Sequence, residues 1–269
     1  MATSSRPVAL ITGAASGLGR YAADGLIAAG FEVVGTSRDT SRLDGRPGMT
    51  FIDLDVTSDE SVATAVETVI EQFGRIDVLV NNAGMGLAGA SEENTIAQTQ
   101  RLFDINVFGV IRMTNAVLPH MRTQGHGRVV NISSIFGLMP APFMAAYSAT
   151  KFAVEGYSES VDHEVRDHDI RVVLVEPGGT KTGFDDNTAE PDNASGAYER
   201  QRERTTQAVA DQVNNGDDPL VVAKVIVAAA TDTAPKLRYA AGSARRLSAM
   251  RRFAPRRIFD RQLRRSLGF

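Results

Sequence analysis

A single α/β domain, with a largely parallel sheet of about seven strands and helices on both faces, is predicted by three observations. Short, wholly apolar runs recur along the chain, separated by stretches of helical periodicity. A glycine-rich turn joins the first apolar run to the first helical pattern. The 269 residues are 43% hydrophobic and 23% charged, enough to bury a sizeable core in one domain spanning 1–269.

Composition removes several chemistries. With no cysteine, disulfides, thiolate nucleophiles and Cys-ligated metals are excluded. The four histidines (His120, His126, His163 and His168) form no ligand pattern, so no metal is expected. Residues 1–7 are polar and lead straight into a strand, and no apolar run approaches a membrane span. The expectation is a soluble, cytoplasmic protein.

Val8-Ala9-Leu10-Ile11 suits a strand buried on both faces. It runs into Thr12-Gly13-Ala14-Ala15-Ser16-Gly17-Leu18-Gly19, then a helical pattern through Ala22, Leu26, Ile27 and Ala29, closed by Gly30. Glycines here allow a tight turn, and the helix start offers N–H groups to a pyrophosphate. The second strand, residues 31–36, ends at Ser37-Arg38-Asp39. An arginine there can bind a ribose 2′-phosphate, so NADP(H) is the preferred cofactor and NAD(H) the second candidate.

A third strand, residues 49–54, leads to Asp55-Val56, with Thr57 or Ser58 as the N-cap of a helix reaching about Phe73. Gly74 closes it, and residues 76–80 form the fourth strand, ending in Asn81-Asn82-Ala83-Gly84. The two asparagines are suited to hydrogen-bond backbone groups where the sheet opens. Residues 99–123 read as one long helix containing Asn106, with Pro119 marking a bend or stop near its end. Residues 127–134 form the fifth strand, ending at Ser133-Ser134, and residues 171–176 the sixth, followed by Pro177-Gly178-Gly179-Thr180-Lys181-Thr182.

Between these strands stands Tyr147-Ser148-Ala149-Thr150-Lys151. Tyrosine and lysine four apart share a helix face, and an ammonium nearby lowers a phenol pKa, making it a usable acid/base. Thr-Gly-x-x-x-Gly-x-Gly, Asn-Asn-Ala-Gly, and Tyr-x-x-x-Lys preceded by Ser134 at thirteen positions together resemble the short-chain dehydrogenase/reductase family, over residues 8 to about 182.

The resemblance implies a Rossmann fold and reversible hydride transfer between NADP(H) and a carbonyl/alcohol pair. It implies catalytic roles for Asn106, Ser134, Tyr147 and Lys151. Asn106 would anchor a relay water at a local helix distortion. It also implies cofactor contacts from Gly13, Ser16, Gly17, Leu18, Gly19, Ser37, Arg38, Asp55, Val56, Asn82, Ala83, Gly84, Tyr147, Lys151, Pro177, Gly178, Thr180 and Thr182. Phe136, Met139, Phe143 and Met144 would border the substrate, with Met85 and Leu87 close by, which suggests an apolar ketone, aldehyde or alcohol of steroid or retinol type. A 3-oxoacyl-carrier-protein reductase is an alternative enzyme. A non-catalytic NADP(H)-binding regulator is an alternative of another class, opposed by the intact serine, tyrosine, lysine and asparagine. Relatives pair through the helices carrying Asn106 and Tyr147, so a homodimer or homotetramer is expected.

Residues 183–218 are polar and low in strand character, with a helical piece around 198–212, and read as a substrate lid. Residues 219–227 suit a packed helix, and residues 237–240 a seventh strand. Residues 236–269 carry eleven lysines and arginines against one acid. Leu247, Met250, Phe253, Ile258, Phe259, Leu263 and Leu267 interleave with them, and Pro255 breaks the run. The basic extension, about 243–269, either packs on the acidic body or meets an anionic membrane surface or acidic partner; nucleic acid is not expected, since no reading motif accompanies the charge.

Overall fold

The computed structural model describes residues 5–43, 45, 47–184, 187–253 and 256–266. Asp185 and Asp186 of the lid and Pro255 and Leu267 of the tail lie outside the described residues, as do residues 1–4.

The main sheet is built from β1 (Val8–Ile11), β2 (Glu32–Ser37), β3 (Met49–Asp53), β4 (Val78–Asn81), β6 (Gly127–Ile132), β7 (Ile170–Pro177) and β9 (Arg238–Ala241). It has seven strands in the order β3-β2-β1-β4-β6-β7-β9, every pairing parallel. A parallel sheet is covered on both faces, and the wholly apolar strand sequences are the consequence. Successive residues of β1 supply opposite layers: Ala9 and Ile11 join one core cluster, Val8 and Leu10 the other. The first layer packs against α1 (Gly17–Ala28) and α7 (Pro219–Thr231). The second packs against α2 (Asp59–Phe73), α4 (Gly109–Gln124) and α5 (Ala145–Val165). Each fully buried Leu or Ile contributes about 1.5–3 kcal/mol.

Helix ends obey local chemistry. Ser58, rather than Thr57, caps α2 by accepting from the Ser61 N–H, and Gly74 closes it in the left-handed region at φ 75°. Asp218 caps α7, whose first residue is Pro219.

The long helix expected over 99–123 is three segments: α3 (Ile96–Phe103), a π-helical turn over Asp104–Phe108, and α4. Asn106 sits on that π turn, where the distortion was expected. Pro119 does not end α4, which runs on to Gln124 and closes at Gly125. A second, two-stranded sheet pairs β5 (Gly86–Leu87) with β8 (Thr188–Ala189), the latter inside the segment expected to be low in strand character. Two-residue strands have no periodicity to read. The segment also holds α6 (Glu199–Asn214), and the chain ends in α8 (Ala244–Phe253) and α9 (Arg256–Ser266). Among the described residues, no helix is long and apolar enough to cross a membrane.

Candidate active site

The strand order reverses between β1 and β4, and the glycine turn and the Asn-rich string meet outside their carboxyl ends, where such sheets bind ligands. Thr12 joins the two segments: its hydroxyl accepts from the Asn82 and Ala83 N–H groups, both at 2.9 Å. The Asn82 amide donates back to the carbonyls of Thr12 and Gly13 at 2.9 and 3.1 Å. Asn81 behaves otherwise than expected. Its amide points between sheet and helices and donates to Thr114 and Asn131 side chains rather than to backbone.

A dinucleotide fits this turn. Gly13 and Gly17 have φ of 67° and 52°, and a Cβ on Gly19 would stand 2.4 Å from the Gly13 carbonyl oxygen. Ser16, the N-cap of α1, makes no side-chain cap, and no acid stands in the first turn, so the helix dipole faces the turn uncompensated. Leu18, the second residue of α1, packs on the core beneath.

At the ribose end, Ser37 closes β2 while Arg38 is exposed and acts electrostatically on Asp55. The Asp55 carboxylate accepts from the Thr57 N–H and hydroxyl, which hold it below the usual carboxylate range. Val56 packs against Gly109, where a Cβ would come within 2.9 Å. On the far side, Pro177 ends β7. Gly178 lies so close to Ser243 that a Cβ would meet its hydroxyl at 2.4 Å, and the Thr182 N–H donates to the Thr180 carbonyl at 2.8 Å.

The four candidate proton-handling residues converge above these strand ends. Ser134 follows β6; its hydroxyl lies near the Tyr147 phenol and accepts from the Phe136 N–H at 3.2 Å. Lys151, one turn after Tyr147 on α5, has Nζ 5.7 Å from the centre of the phenol ring and donates to the Ile132 carbonyl at 2.9 Å. Asn106 pairs with both backbone groups of Met85 at 2.9 Å, and its amide donates to the Thr150 hydroxyl at 3.3 Å. Thr150 in turn donates to the Tyr147 carbonyl. Gly84 leaves room for this contact, since a Cβ there would reach within 3.3 Å of Asn106 Oδ1.

One expectation is overturned. The lysine was expected to lower the tyrosine pKa, but burial pushes the Tyr147 phenol up, opposed only by the neighbouring Ser134 hydroxyl. Tyr147 is 6% exposed among Leu87, Met144, Phe136 and Phe184, while the ammonium turns to a carbonyl. Burial drives Lys151 itself down to about 8, with Glu155 opposing.

The four residues expected to border the substrate divide. Phe136 meets the Tyr147 ring edge-on at 6.2 Å, and Met144 packs in the same cluster. Met139 does not join them: it lies with Ile135 beneath Ala244 and Leu247 at the start of the C-terminal extension. Phe143, at φ 60°, instead meets Tyr198, the residue just before α6, and borders a cavity of about 410 Å³ with Ala90, Ser91, Glu92 and Gln201. Phe184, 5.9 Å from Tyr147, was missed, because it stands in a polar segment with no periodic signal. Also missed was Glu93, which joins that segment to the 90–95 turn. Its carboxylate accepts from Ser195 N–H at 2.7 Å, Ala90 N–H at 3.0 Å and Arg202.

A doubly wound sheet with a dinucleotide cradle at its switch point, facing a hydroxyl, a phenol and an ammonium in an apolar wall, defines a nicotinamide-dependent oxidoreductase. The chain belongs to the short-chain dehydrogenase/reductase family: residues 7–193 match the short chain dehydrogenase family, which binds NAD(P)(H). It is 49% identical over 180 residues to a 3-ketodihydrosphingosine reductase of Bacteroides thetaiotaomicron, covering 67% of this chain and 66% of that one, just under two thirds of its length. Retinol dehydrogenase 8 of Bos taurus is 38% identical over 258 residues, covering 88% of this chain and 82% of the relative. A short-chain dehydrogenase from Streptomyces avermitilis superposes with a TM-score of 0.84 at 37% identity, covering 99% of both chains.

Proposed function

We propose that the protein interconverts an apolar ketone or aldehyde and its alcohol, with NADP(H) as the preferred dinucleotide. The observation that carries this reading is the Tyr147 phenol beside the Ser134 hydroxyl inside an aromatic and aliphatic wall, one helical turn from a buried ammonium. The bound dinucleotide supplies or accepts the hydride. In reduction, Ser134 donates a hydrogen bond to the carbonyl oxygen and Tyr147 transfers its phenolic proton to that oxygen as the alcohol forms. Lys151 holds the nicotinamide ribose and keeps a positive charge beside the phenolate left behind. Asn106 anchors the water through which the phenol regains its proton. Arg38, exposed just beyond β2, whose last residue is Ser37 rather than a carboxylate, supports the NADP(H) preference.

Two named relatives, a 3-ketodihydrosphingosine reductase and a retinol dehydrogenase, support a substrate with a long apolar body. Leu87, Phe136, Met144 and Phe184 around Tyr147 suit it. Residues 183–218 serve as the lid and residues 243–269 as a C-terminal extension, within one domain. Phe108 and Phe152, 50% and 44% exposed on the elements bearing Asn106 and Tyr147, support pairing into a dimer or tetramer.

A panel of long-chain ketones, aldehydes and retinoids, read by NADPH consumption in wild type and Tyr147→Phe, tests the reading. Removing the phenol is expected to lower kcat by about 10²–10⁴. Turnover unaffected by that change would overturn it.

A further inference from the structure

Behind the phenol and ammonium, three carboxylates share one guanidinium. Arg238 on β9 bonds Glu176 of β7 at 2.9 Å and also bonds Glu155 and Glu159 of α5. Glu155 and Glu176 are 4% and 1% exposed. Two buried carboxylates share one arginine, so when both are ionised one negative charge is uncompensated, and burial raises the pKa of each; Glu159, at the edge, adds a third carboxylate. The next cation along the helix is Lys151, buried and four residues before Glu155, on the same face of α5. Glu155 Oε1 is buried beside the Ser133 hydroxyl without an ordinary hydrogen bond, both atoms crowding Gly137.

We infer that Glu155 is a positioning residue that keeps Lys151 in its ammonium form near neutral pH, with Arg238 fixing Glu155 between Glu176 and Glu159. The inference rests on the proposed role of Lys151 for its catalytic meaning, but the charge coupling itself does not. The groups packed around the pair are few. Lys151 faces Tyr147 on its own helix and the Ile132 carbonyl of β6, while Glu155 faces Ser133 after β6, Glu176 of β7, Arg238 of β9 and Glu159 of α5. Burial lowers the lysine to about 8 and Glu155 works against it. Burial raises Glu155 to about 7; Ser133 and Arg238 pull it down, and Glu176 pushes it up. Burial thus brings the proton affinities of the two groups toward each other, and neighbours on one helix face are expected to titrate as a coupled pair.

The test follows Lys151 directly. The chain has four lysines (Lys151, Lys181, Lys224 and Lys236), so lysine labelled with carbon-13 at Cε gives four signals, assigned with Lys151→Arg. In wild type the Lys151 signal is expected to titrate in two steps, one from Glu155 and one its own. In Glu155→Gln its midpoint is expected about one pH unit lower or more, a tenfold loss of ammonium above the midpoint, with partial recovery in Glu155→Asp. The alkaline limb of kcat should move down equally, leaving the KM for NADPH at pH 6 unchanged. A single-step wild-type curve, or a Lys151 midpoint unmoved in Glu155→Gln, overturns the inference. The wild-type curve decides the matter even where the glutamine variant does not fold. A moved midpoint with an unmoved rate profile upholds the coupling and overturns the catalytic assignment of Lys151 instead.

Discussion

Gly19→Ala separates close approach from conformational freedom in the dinucleotide cradle. A Cβ at this position would stand 2.4 Å from the Gly13 carbonyl oxygen, 2.6 Å from Asn82 Nδ2 and 3.0 Å from Ala14 Cα. None of these is the loose end of a side chain: Asn82 Nδ2 already donates to the Thr12 and Gly13 carbonyls. Reaching ordinary contact requires a shift of about 1 Å between α1 and the turn. A displacement of that size at a positioning element costs on the order of 10²-fold, or roughly 2.7 kcal/mol of dinucleotide affinity. NADPH fluorescence measures it cleanly, since the chain has no tryptophan. Gly17→Ala is the control. It has φ 52° with nothing within 4 Å, so only the left-handed backbone is penalised, by about 1–2 kcal/mol of stability, and affinity should fall less than about tenfold. Gly19→Ala binding NADPH as wild type does, or Gly17→Ala losing as much affinity, would refute the close-approach argument.

Three other perturbations have defined outcomes. Asp162 is fully buried and accepts from Arg166, Arg171 and the Val172 N–H, so Asp162→Ala should cost roughly 3 kcal/mol and lower Tm by roughly 6–12 °C in a thermal melt. Burial alone would raise the Asp162 carboxyl, but the hydrogen bonds from Arg171 and Arg166 outweigh it and lower the pKa. Its contribution is therefore complete above about pH 4 and lost as pH falls through the depressed value; acid melts of the variant should show less of this loss. Arg38→Ala should lower NADPH affinity by roughly tenfold or more while sparing NADH, read in paired titrations; equal preference in both proteins would sink the assignment. Glu93→Gln should loosen the lid, giving faster proteolysis within residues 183–218 and a raised substrate KM, whereas unchanged cleavage would leave Glu93 without a latching role.

The fold was legible because its signals are local. Val8 to Ile11, and the apolar runs like it, must be covered on both faces, and Gly74 closes α2 for a reason contained in its own backbone. The cradle was legible too, since its glycines are contiguous with the helix they precede. Tyr147 and Lys151 could be placed on one helix face from spacing alone.

Tertiary structure decided the rest. The carboxylates of Glu155 and Glu176, 21 residues apart in the chain, meet only because Arg238 lies on the strand that pairs with β7. Thr188 and Ala189 became a strand only because Gly86 and Leu87 offered a partner edge, and Glu93 found its partners about a hundred residues away. The direction of the Tyr147 shift belongs here as well. Tyr-x-x-x-Lys established by itself that a phenol and an ammonium are neighbours. Which influence dominates was settled by Phe136, Met144 and Phe184 closing around the ring, because desolvation depends on every atom that excludes water and no local pattern records it.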